Sequence, residues 1–126
     1  MNTKLEYIPG TCNIGPAEIK GRKKGAIFNT ILGIAIIILL LLIHAGKPWR
    51  LLLFIPATMA VLGFQQVYSK FCAGFGLKGV FNLGEMGKTF SVEQKEYFQK
   101  DRNKALKMIL ISLLAGFILT AIFYIL

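Results

Sequence analysis

Acidic and metal-binding residues are scarce in this sequence. Its 126 residues include six Asp and Glu, one His and two Cys. A structural zinc site takes four ligands, and hydrolytic chemistry needs paired carboxylates or a nucleophile beside a base. The sequence holds no such grouping and no glycine motif with phosphate-binding spacing. We therefore expect that the protein is not an enzyme, and we assign no catalytic residue, no metal site and no cofactor.

Charge is also missing from long stretches of the chain. Residues 26–45 carry none over 20 positions, and as a helix they form a rod about 30 Å long, the thickness of a bilayer's hydrocarbon core. Two further apolar runs follow at 51–67 and 108–126. Because 55% of the residues are hydrophobic, too little sequence remains for a separate soluble core. The pattern predicts an all-α integral membrane protein of one domain with three transmembrane helices.

The polar gaps divide this membrane domain into five parts. A connector of about five residues makes the first two spans an antiparallel hairpin. Pro56 removes one backbone hydrogen bond inside the second span and predicts a kink there. The parts are a cytoplasmic N-terminal segment 1–25, a first span 26–45, a second span 49–69, a glycine-rich segment 70–90 and a cytoplasmic stalk that continues into the third span, 91–126.

The segment after the second span combines two opposed features. Its many glycines disfavour a long helix, while its apolar side chains disfavour exposure to water. A re-entrant or interfacial segment covered by protein satisfies both conditions. The glycines in question are Gly74, Gly76, Gly79, Gly84 and Gly87.

The last helix has a start signal and two charge pairs. Ser91 with Gln94 three residues later forms a capping box and predicts that the helix starts there. The pairs Glu96–Lys100 and Asp101–Lys104 are spaced to interact on an exposed helix surface. We expect one helix of about 35 residues that begins in the cytoplasm and ends in the bilayer.

The distribution of cations predicts the orientation. Lys and Arg number five in residues 1–25, two in the first connector and eight in residues 70–107. Since cations are retained in the cytoplasm, the protein is expected in the inner (cytoplasmic) membrane with its N-terminus inside and its C-terminus outside. The retained cations also account for the net charge of +9, so we expect no nucleic-acid partner.

The basic run Lys20–Lys24 has two interpretations. It is an ordinary topology signal, which is the interpretation we favour. The same cations are also placed to attract the anionic head groups of the lipid bilayer, the partner common to both interpretations. The candidate head-group residues are Arg22, Lys23 and Lys24.

Small residues recur at helical spacing in two of the spans. Such stripes let helices approach closely, either within one protomer or between protomers. They predict firm packing and support a homo-oligomer or a subunit of a membrane complex. Asn29 is expected to form a hydrogen bond with another helix. The stripes are Gly25, Asn29 and Gly33 in the first span, and Ser112, Gly116 and Thr120 in the third.

The two cysteines are the candidate thiol site. The expected topology places Cys12 and Cys72 in the cytoplasm, where a disulfide is unusual. They are either buried and inert or form a shared thiol site, in which nearby cations would favour the thiolate. The first alternative is favoured.

The residues around these cysteines resemble a known family. The order Asn13-Ile14-Gly15, Glu18-Ile19, Arg22 and Gly25, followed by Phe71-Cys72 and Gly76 to Gly79, is similar to the small YgaP-like transmembrane domain over residues 12–82. The resemblance implies a dimerising membrane hairpin connected with sulfur or thiol handling, in which Cys72 occupies the family's cysteine position. The chain departs from the pattern at Ala73, where the family usually has Pro, and it has no rhodanese domain.

Two functional hypotheses follow from these features. The first is a non-catalytic membrane module that oligomerises or binds a partner. The second is an oligomeric channel or carrier for a small anion or a sulfur species, with Pro56, Asn29, the glycine-rich segment and the two cytoplasmic thiols along its route. The spans have very few polar positions, so a pore would have to form between protomers.

Overall fold

The computed structural model describes residues 7–83 and 89–126. Within these ranges the chain is mostly helical, with one short pair of antiparallel strands that the all-α prediction missed. Gly84 and Gly87 of the glycine-rich segment, like residues 1–6 of the N-terminal segment, lie outside the described residues. The elements are α1 (Pro16–Leu42), a 3-10 helix (Lys47–Leu53), α2 (Phe54–Ser69), α3 (Ala73–Lys78), β1 (Val80–Phe81), β2 (Phe90–Ser91) and α4 (Lys95–Ile125).

Three helical stretches are long and apolar enough to cross a membrane, as the hydropathy pattern predicts. They are Pro16–Leu42, Lys47–Ser69 and Lys95–Ile125. The first begins ten residues before the apolar run, because Pro16 at the first helical position starts a helix that continues without interruption into the span. The N-terminal basic run is therefore part of α1.

The second span changes helical type near Pro56. Residues Lys47–Leu53 form a 3-10 helix, and the α-helical hydrogen-bond pattern starts at Phe54. Pro56 is thus in the first turn of α2, where a missing N–H disturbs the helix least. Its ring is buried and lies against Gly33 of α1. The kink expected at this proline stays a prediction.

α2 is the central helix and packs against both α1 and α4. It approaches α1 most closely where Gly63 faces Ala26: a Cβ added to Gly63 would lie 2.8 Å from the Cβ of Ala26. The buried residues of α1 are spaced seven or eight apart, a repeat typical of helices that pack nearly antiparallel. They are Glu18, Ala26, Gly33 and Leu40.

The small-residue stripe of the third span packs against α2. Ser112, Gly116 and Thr120 are all buried within the chain. A Cβ at Gly116 would overlap Thr58 Oγ1 and lie 3.0 Å from Thr58 Cβ. Gln65 Nε2 donates to Ser112 Oγ over 2.6 Å. The stripe therefore serves packing inside one protomer, the first of the two alternatives that its spacing left open.

Within the described part of the chain, the stripe of the first span is not a packing face at two of its three members, and contact of those two with a second protomer stays a prediction. Asn29 Nδ2 donates to the carbonyl of Gly25 in its own helix, over 2.9 Å, and not to another helix. A Cβ at Gly25 would have nothing within 4 Å. Gly33 alone faces a neighbour, Leu53, because the α1–α2 contact follows the line of Ala26 and Leu40.

The glycine-rich segment folds back on the last helix. Phe71 and Ala73 are buried with Ala105 and Met108 of α4. Gly79 has φ +72°, a left-handed conformation that ends α3 and that favours glycine. The capping box expected at Ser91 is wrong: Ser91 pairs with Val80 in the short sheet, and α4 begins four residues later at Lys95.

Arg50 joins the hairpin turn to the end of α4. Its guanidinium donates to the carbonyl of Phe123 over 2.8 Å and lies 4.9 Å from the centre of the Phe123 ring. The last carbonyls of a helix lack intrahelical donors and carry partial negative charge, which a guanidinium satisfies. We refer to this side of the bundle as the Arg50 end and to the opposite side as the Cys72 end.

Candidate functional site

Buried polar side chains collect at the Cys72 end of the bundle. They come from the N-terminal segment, from α1, from residues 72–82 and from α4, so no single element contains the site. We call these residues the polar cluster. Buried polar groups are costly unless they are hydrogen-bonded, so their pairing determines how this end is built. The members are Asn13, Glu18, Arg22, Cys72, Asn82 and Asp101.

Asn13 fixes the main chain of Cys72. Its side-chain Oδ1 accepts a hydrogen bond from Cys72 N over 2.6 Å, and its Nδ2 donates to Cys72 O over 3.1 Å. Its own main-chain N–H donates to the carbonyl of Lys70 over 3.1 Å. Asn13 is fully buried. The side-chain amide of Asn13 therefore binds both the main-chain N–H and the main-chain carbonyl of Cys72.

Asn82 performs a similar task on the other side of Asn13. Its N–H donates to Asn13 O over 2.9 Å, and its carbonyl accepts from Gly15 N over 2.8 Å. The Asn82 side chain donates to Glu18 Oε1 over 3.1 Å. Gly15 must lack a side chain, because a Cβ there would overlap the carbonyl of Leu83. The N-terminal segment is thereby held along residues 70–83.

Arg22 places a guanidinium beside the sulfur of Cys72. Its NH1 lies 3.3 Å from Glu18 Oε2, one helical turn earlier. Its NH2 donates to Cys72 Sγ over 3.2 Å, and its charged group lies over the ring of Phe75 at 5.4 Å. Cys72 is only 5% exposed, so a reagent reaches its sulfur only if this contact opens.

Asp101 ties α4 to the N-terminal segment. Its carboxylate is fully buried and accepts from Tyr7 Oη over 2.6 Å and from Gly10 N over 2.7 Å. Burial raises the pKa of Tyr7 well above its ordinary value, and the hydrogen bond to Asp101 raises it further. The Tyr7 ring stacks on Phe81 with centres 4.5 Å apart.

Cys12 is near the cluster but is bound differently. It is 5% exposed, and its Sγ donates to the carbonyl of Ile14 over 3.6 Å. Burial raises the pKa of this thiol, against smaller opposing effects of that hydrogen bond and of Lys70. Both cysteines are free thiols. Among the described residues no group of three His, Cys, Asp or Glu side chains is arranged to hold a metal ion.

The predicted head-group residues separate in the structure. Lys23 and Lys24 are exposed, whereas the Arg22 guanidinium is engaged by Glu18 and Cys72. The residues that carried the family resemblance, by contrast, come together: Asn13, Glu18, Arg22 and Cys72 lie in one bonded group.

Sequence reasoning missed two members of the cluster. Asn82 gave no signal, since a single Asn in a loop is ordinary. Asp101 was assigned to an exposed pair with Lys104, and that assignment is wrong because its carboxylate is buried against Tyr7. An available hint was that it is one of only two acids among the five cations from Lys95 to Lys107.

Comparison with known protein families, curated proteins and solved structures finds no match to this chain.

Proposed function

We propose that this chain is a non-catalytic integral membrane module that crosses the bilayer three times and binds a partner at its Cys72 end. The observation that carries the proposal is the polar cluster. Three apolar helices can pack through small residues and apolar side chains, as α1, α2 and α4 do. The additional folding of residues 7–15 and 70–83 around Asn13 instead builds a defined surface at one end of the bundle.

The hydrogen bonding within the polar cluster favours a role in binding a partner over a role in catalysis. Asn13, Asn82 and Glu18 direct their polar atoms at one another and at main-chain groups. A reaction centre instead leaves polar groups converging on a space where a substrate can lie. A fully paired network makes the backbone around it rigid, which lowers the entropy cost of binding a partner.

The partner in this proposal is a different protein. The stripe of Ser112, Gly116 and Thr120, which had suggested an oligomer, is occupied by α2. The channel hypothesis gains no support either. Two of the polar side chains between the spans, Gln65 and Ser112, bond to each other and to the carbonyl of Met108, and a pore between protomers stays a prediction.

Cys72 provides the proposed connection with thiol handling. Its buried sulfur accepts a hydrogen bond from the half-buried Arg22, and its main chain is fixed by Asn13. Oxidation or modification of this sulfur would displace the guanidinium and loosen the contact between α1 and α3. The partner surface would then respond to the state of one thiol.

Site-specific photo-crosslinking in native membranes tests the partner proposal. A photoreactive side chain in place of Glu93, which is exposed at the Cys72 end, should yield a discrete adduct heavier than the chain. The same group in place of Ile31, 62% exposed on α1, should give only diffuse lipid products. Asn13→Ala should reduce the Glu93 adduct to the level of the Ile31 control, while Asn103→Ala at an exposed position of α4 should leave it unchanged.

Two results would contradict the proposal. The first is equal, diffuse labelling from Glu93 and Ile31. The second is an adduct of twice the chain's mass, which would mean a second copy in place of a different partner.

A further inference from the structure

A lateral groove runs along the bundle between α1 and α4, with α2 as its floor. Its volume is about 460 Å³. Small residues of the first two spans make the hollow, and larger ones form its sides. On α2 it extends from Leu53 to Phe64, a helical rise of about 16 Å. The hollow is lined by Gly33, Ala57 and Ala60 among others.

The groove has the size and polarity of a site for one acyl chain. Half of a bilayer's hydrocarbon core is about 15 Å thick, which matches the length of the groove. Nearly all of its lining is aliphatic or aromatic, and the polar side chains Asn29 and Thr30 occur only near the Cys72 end. A lipid tail would therefore lie along α2 with its polar part toward that end.

On α1, a lysine lies on the same helix face as the groove lining, beyond the polar end of the groove. Lys23 precedes Thr30 by seven residues, which is two helical turns, so both lie on one face of α1 about 10 Å apart. Lys23 is exposed, and its long side chain can extend along the helix to a phosphate. Arg22 is on the same face, but Glu18 and Cys72 occupy its guanidinium.

On α2, a tyrosine lies just beyond the polar end of the groove. Tyr68 follows Phe64 of the groove lining by four residues and is therefore above it on the same face. It is 91% exposed, although tyrosine normally buries its ring in protein or at a membrane interface. A cation and a phenol thus frame the Cys72 end of the groove. At the opposite end the Arg50 guanidinium is bound to the carbonyl of Phe123 and Lys47 lies over the ring of Tyr124.

We infer that the lateral groove binds one chain of an anionic phospholipid, whose phosphate is held by Lys23 and Tyr68. The exposed cation Lys23 beyond the polar end of the groove and the apolar lining are complementary to that lipid class. The acyl chain of a zwitterionic lipid also fits the groove, but its head group would place a second cation beside Lys23. The inference rests on the membrane insertion in the proposed function and is independent of the partner at the Cys72 end.

Native mass spectrometry of the delipidated full chain in neutral detergent tests this site. Phosphatidylglycerol and phosphatidylcholine with identical acyl chains are titrated separately. We expect one tightly bound phosphatidylglycerol per chain and weaker binding of phosphatidylcholine. Lys23→Gln should weaken phosphatidylglycerol binding about fivefold, from the usual contribution of one cation near an anionic head group. It should leave phosphatidylcholine binding unchanged.

The chain offers a matched control for each part of the site. Lys24→Gln removes the same charge one position along α1, about 100° further around the helix and away from the groove, and should leave binding unchanged. Val61→Trp fills the groove and should abolish the tight site for both lipids. Met59→Trp introduces the same bulk at an exposed position of α2 outside the lining and should have no effect.

Three outcomes would overturn the inference. Equal affinity for the two lipids would remove the charge recognition. Equal losses from Lys23→Gln and Lys24→Gln would mean diffuse attraction without a site. A mass of two chains that Val61→Trp splits would show a second copy in the groove.

A preceding carbonate extraction separates this inference from the partner proposal. A chain washed off the membrane would overturn both. A chain that is retained, binds the lipid and gives no crosslinked partner would overturn the partner proposal alone.

Discussion

At the scale of single residues, Tyr7 and Asp101 form the contact that closes the Cys72 end. The phenol donates to a carboxylate that is fully buried on α4. A buried carboxylate without its donors would be strongly destabilising, so each of its two hydrogen bonds contributes more than an average one. The N-terminal segment is thereby as much a part of the fold as the helices.

Tyr7→Phe should lower stability and also change its dependence on pH. Loss of the hydrogen bond to Asp101 is expected to cost about 1.5 kcal/mol near neutral pH. The pKa of Tyr7 is raised in the folded protein above the ordinary 10.0. The stabilisation is therefore complete below pH 10 and is lost as the pH rises further, because the unfolded chain releases the proton first.

Urea unfolding in detergent between pH 7 and pH 11 measures this effect. The difference in unfolding free energy between wild type and Tyr7→Phe should be constant up to about pH 9 and shrink above pH 10. Tyr68→Phe, at a position 91% exposed, should follow the wild type throughout. If the difference in unfolding free energy stayed constant up to pH 11, Tyr7 would have the same pKa in the folded and the unfolded protein, against the prediction.

The polar cluster could not be read from the sequence, for a physical reason. Its hydrogen bonds join residues far apart in the chain: Asn13 and Cys72 are 59 positions apart, and Glu18 and Asn82 are 64 apart. Hydrophobic periodicity describes which face of one element is buried, and it carries no information on which polar residues of different elements meet. The family resemblance pointed to four members of the cluster without stating their contacts.

At the scale of elements, the bundle depends on close approach to α2 at two places. Gly63 of α2 meets Ala26 of α1, and Thr58 of α2 meets Gly116 of α4. Thr58 Oγ1 is buried without a conventional hydrogen-bond partner, and it lies where a Cβ of residue 116 would be. The glycine therefore presents a Cα–H to this oxygen, a weak contact of the kind common between membrane helices.

Gly116→Ala should destabilise the bundle by about 1–3 kcal/mol, since the added methyl group forces α4 away from α2. Gly25→Ala is the matched control, because a Cβ at Gly25 meets nothing within 4 Å. It should be neutral or stabilising by about 0.5–1 kcal/mol through helix propensity. Thermal unfolding of both variants in the same detergent provides the comparison, and equal effects would argue against close packing at Gly116.

Spacing predicted the packed face of α4, whereas in α1 it matches the contacts within the chain at Gly33 and not at Gly25. In α4 the buried positions are mostly four apart, so Ser112, Gly116 and Thr120 fall on the packed face. In α1 the buried positions are seven or eight apart and pass through Ala26. A small residue in a span can lie at a close helix contact or at a position where a larger side chain would also fit. Which of the two applies depends on where the neighbouring helix packs.

At the scale of the whole molecule, the three apolar helices and their order agree with the sequence-based expectation. The N-inside, C-outside orientation remains a prediction from the cation counts. It places the polar cluster in the cytoplasm and the Arg50 end outside.

Single engineered cysteines test this orientation in sealed inner-membrane vesicles of known sidedness. A membrane-impermeant maleimide should label Glu93→Cys only from the cytoplasmic face and Leu126→Cys, at a position 79% exposed, only from the opposite face. The native Cys12 and Cys72 can stay in place as a slow background, because each is 5% exposed. Labelling of both engineered positions from one face would overturn the three-span topology.

The bond between Tyr7 and Asp101 also sets an order of events during synthesis. Tyr7 and Asp101 are 94 positions apart in the chain. At a ribosomal rate of about 5–20 residues per second, Asp101 is therefore synthesised several seconds after Tyr7. The hairpin of α1 and α2 can form in that interval, but the leading segment gains its last anchor only after α4 emerges. The nascent chain therefore passes through a stage in which the segment around Tyr7 is still accessible to proteases and chaperones.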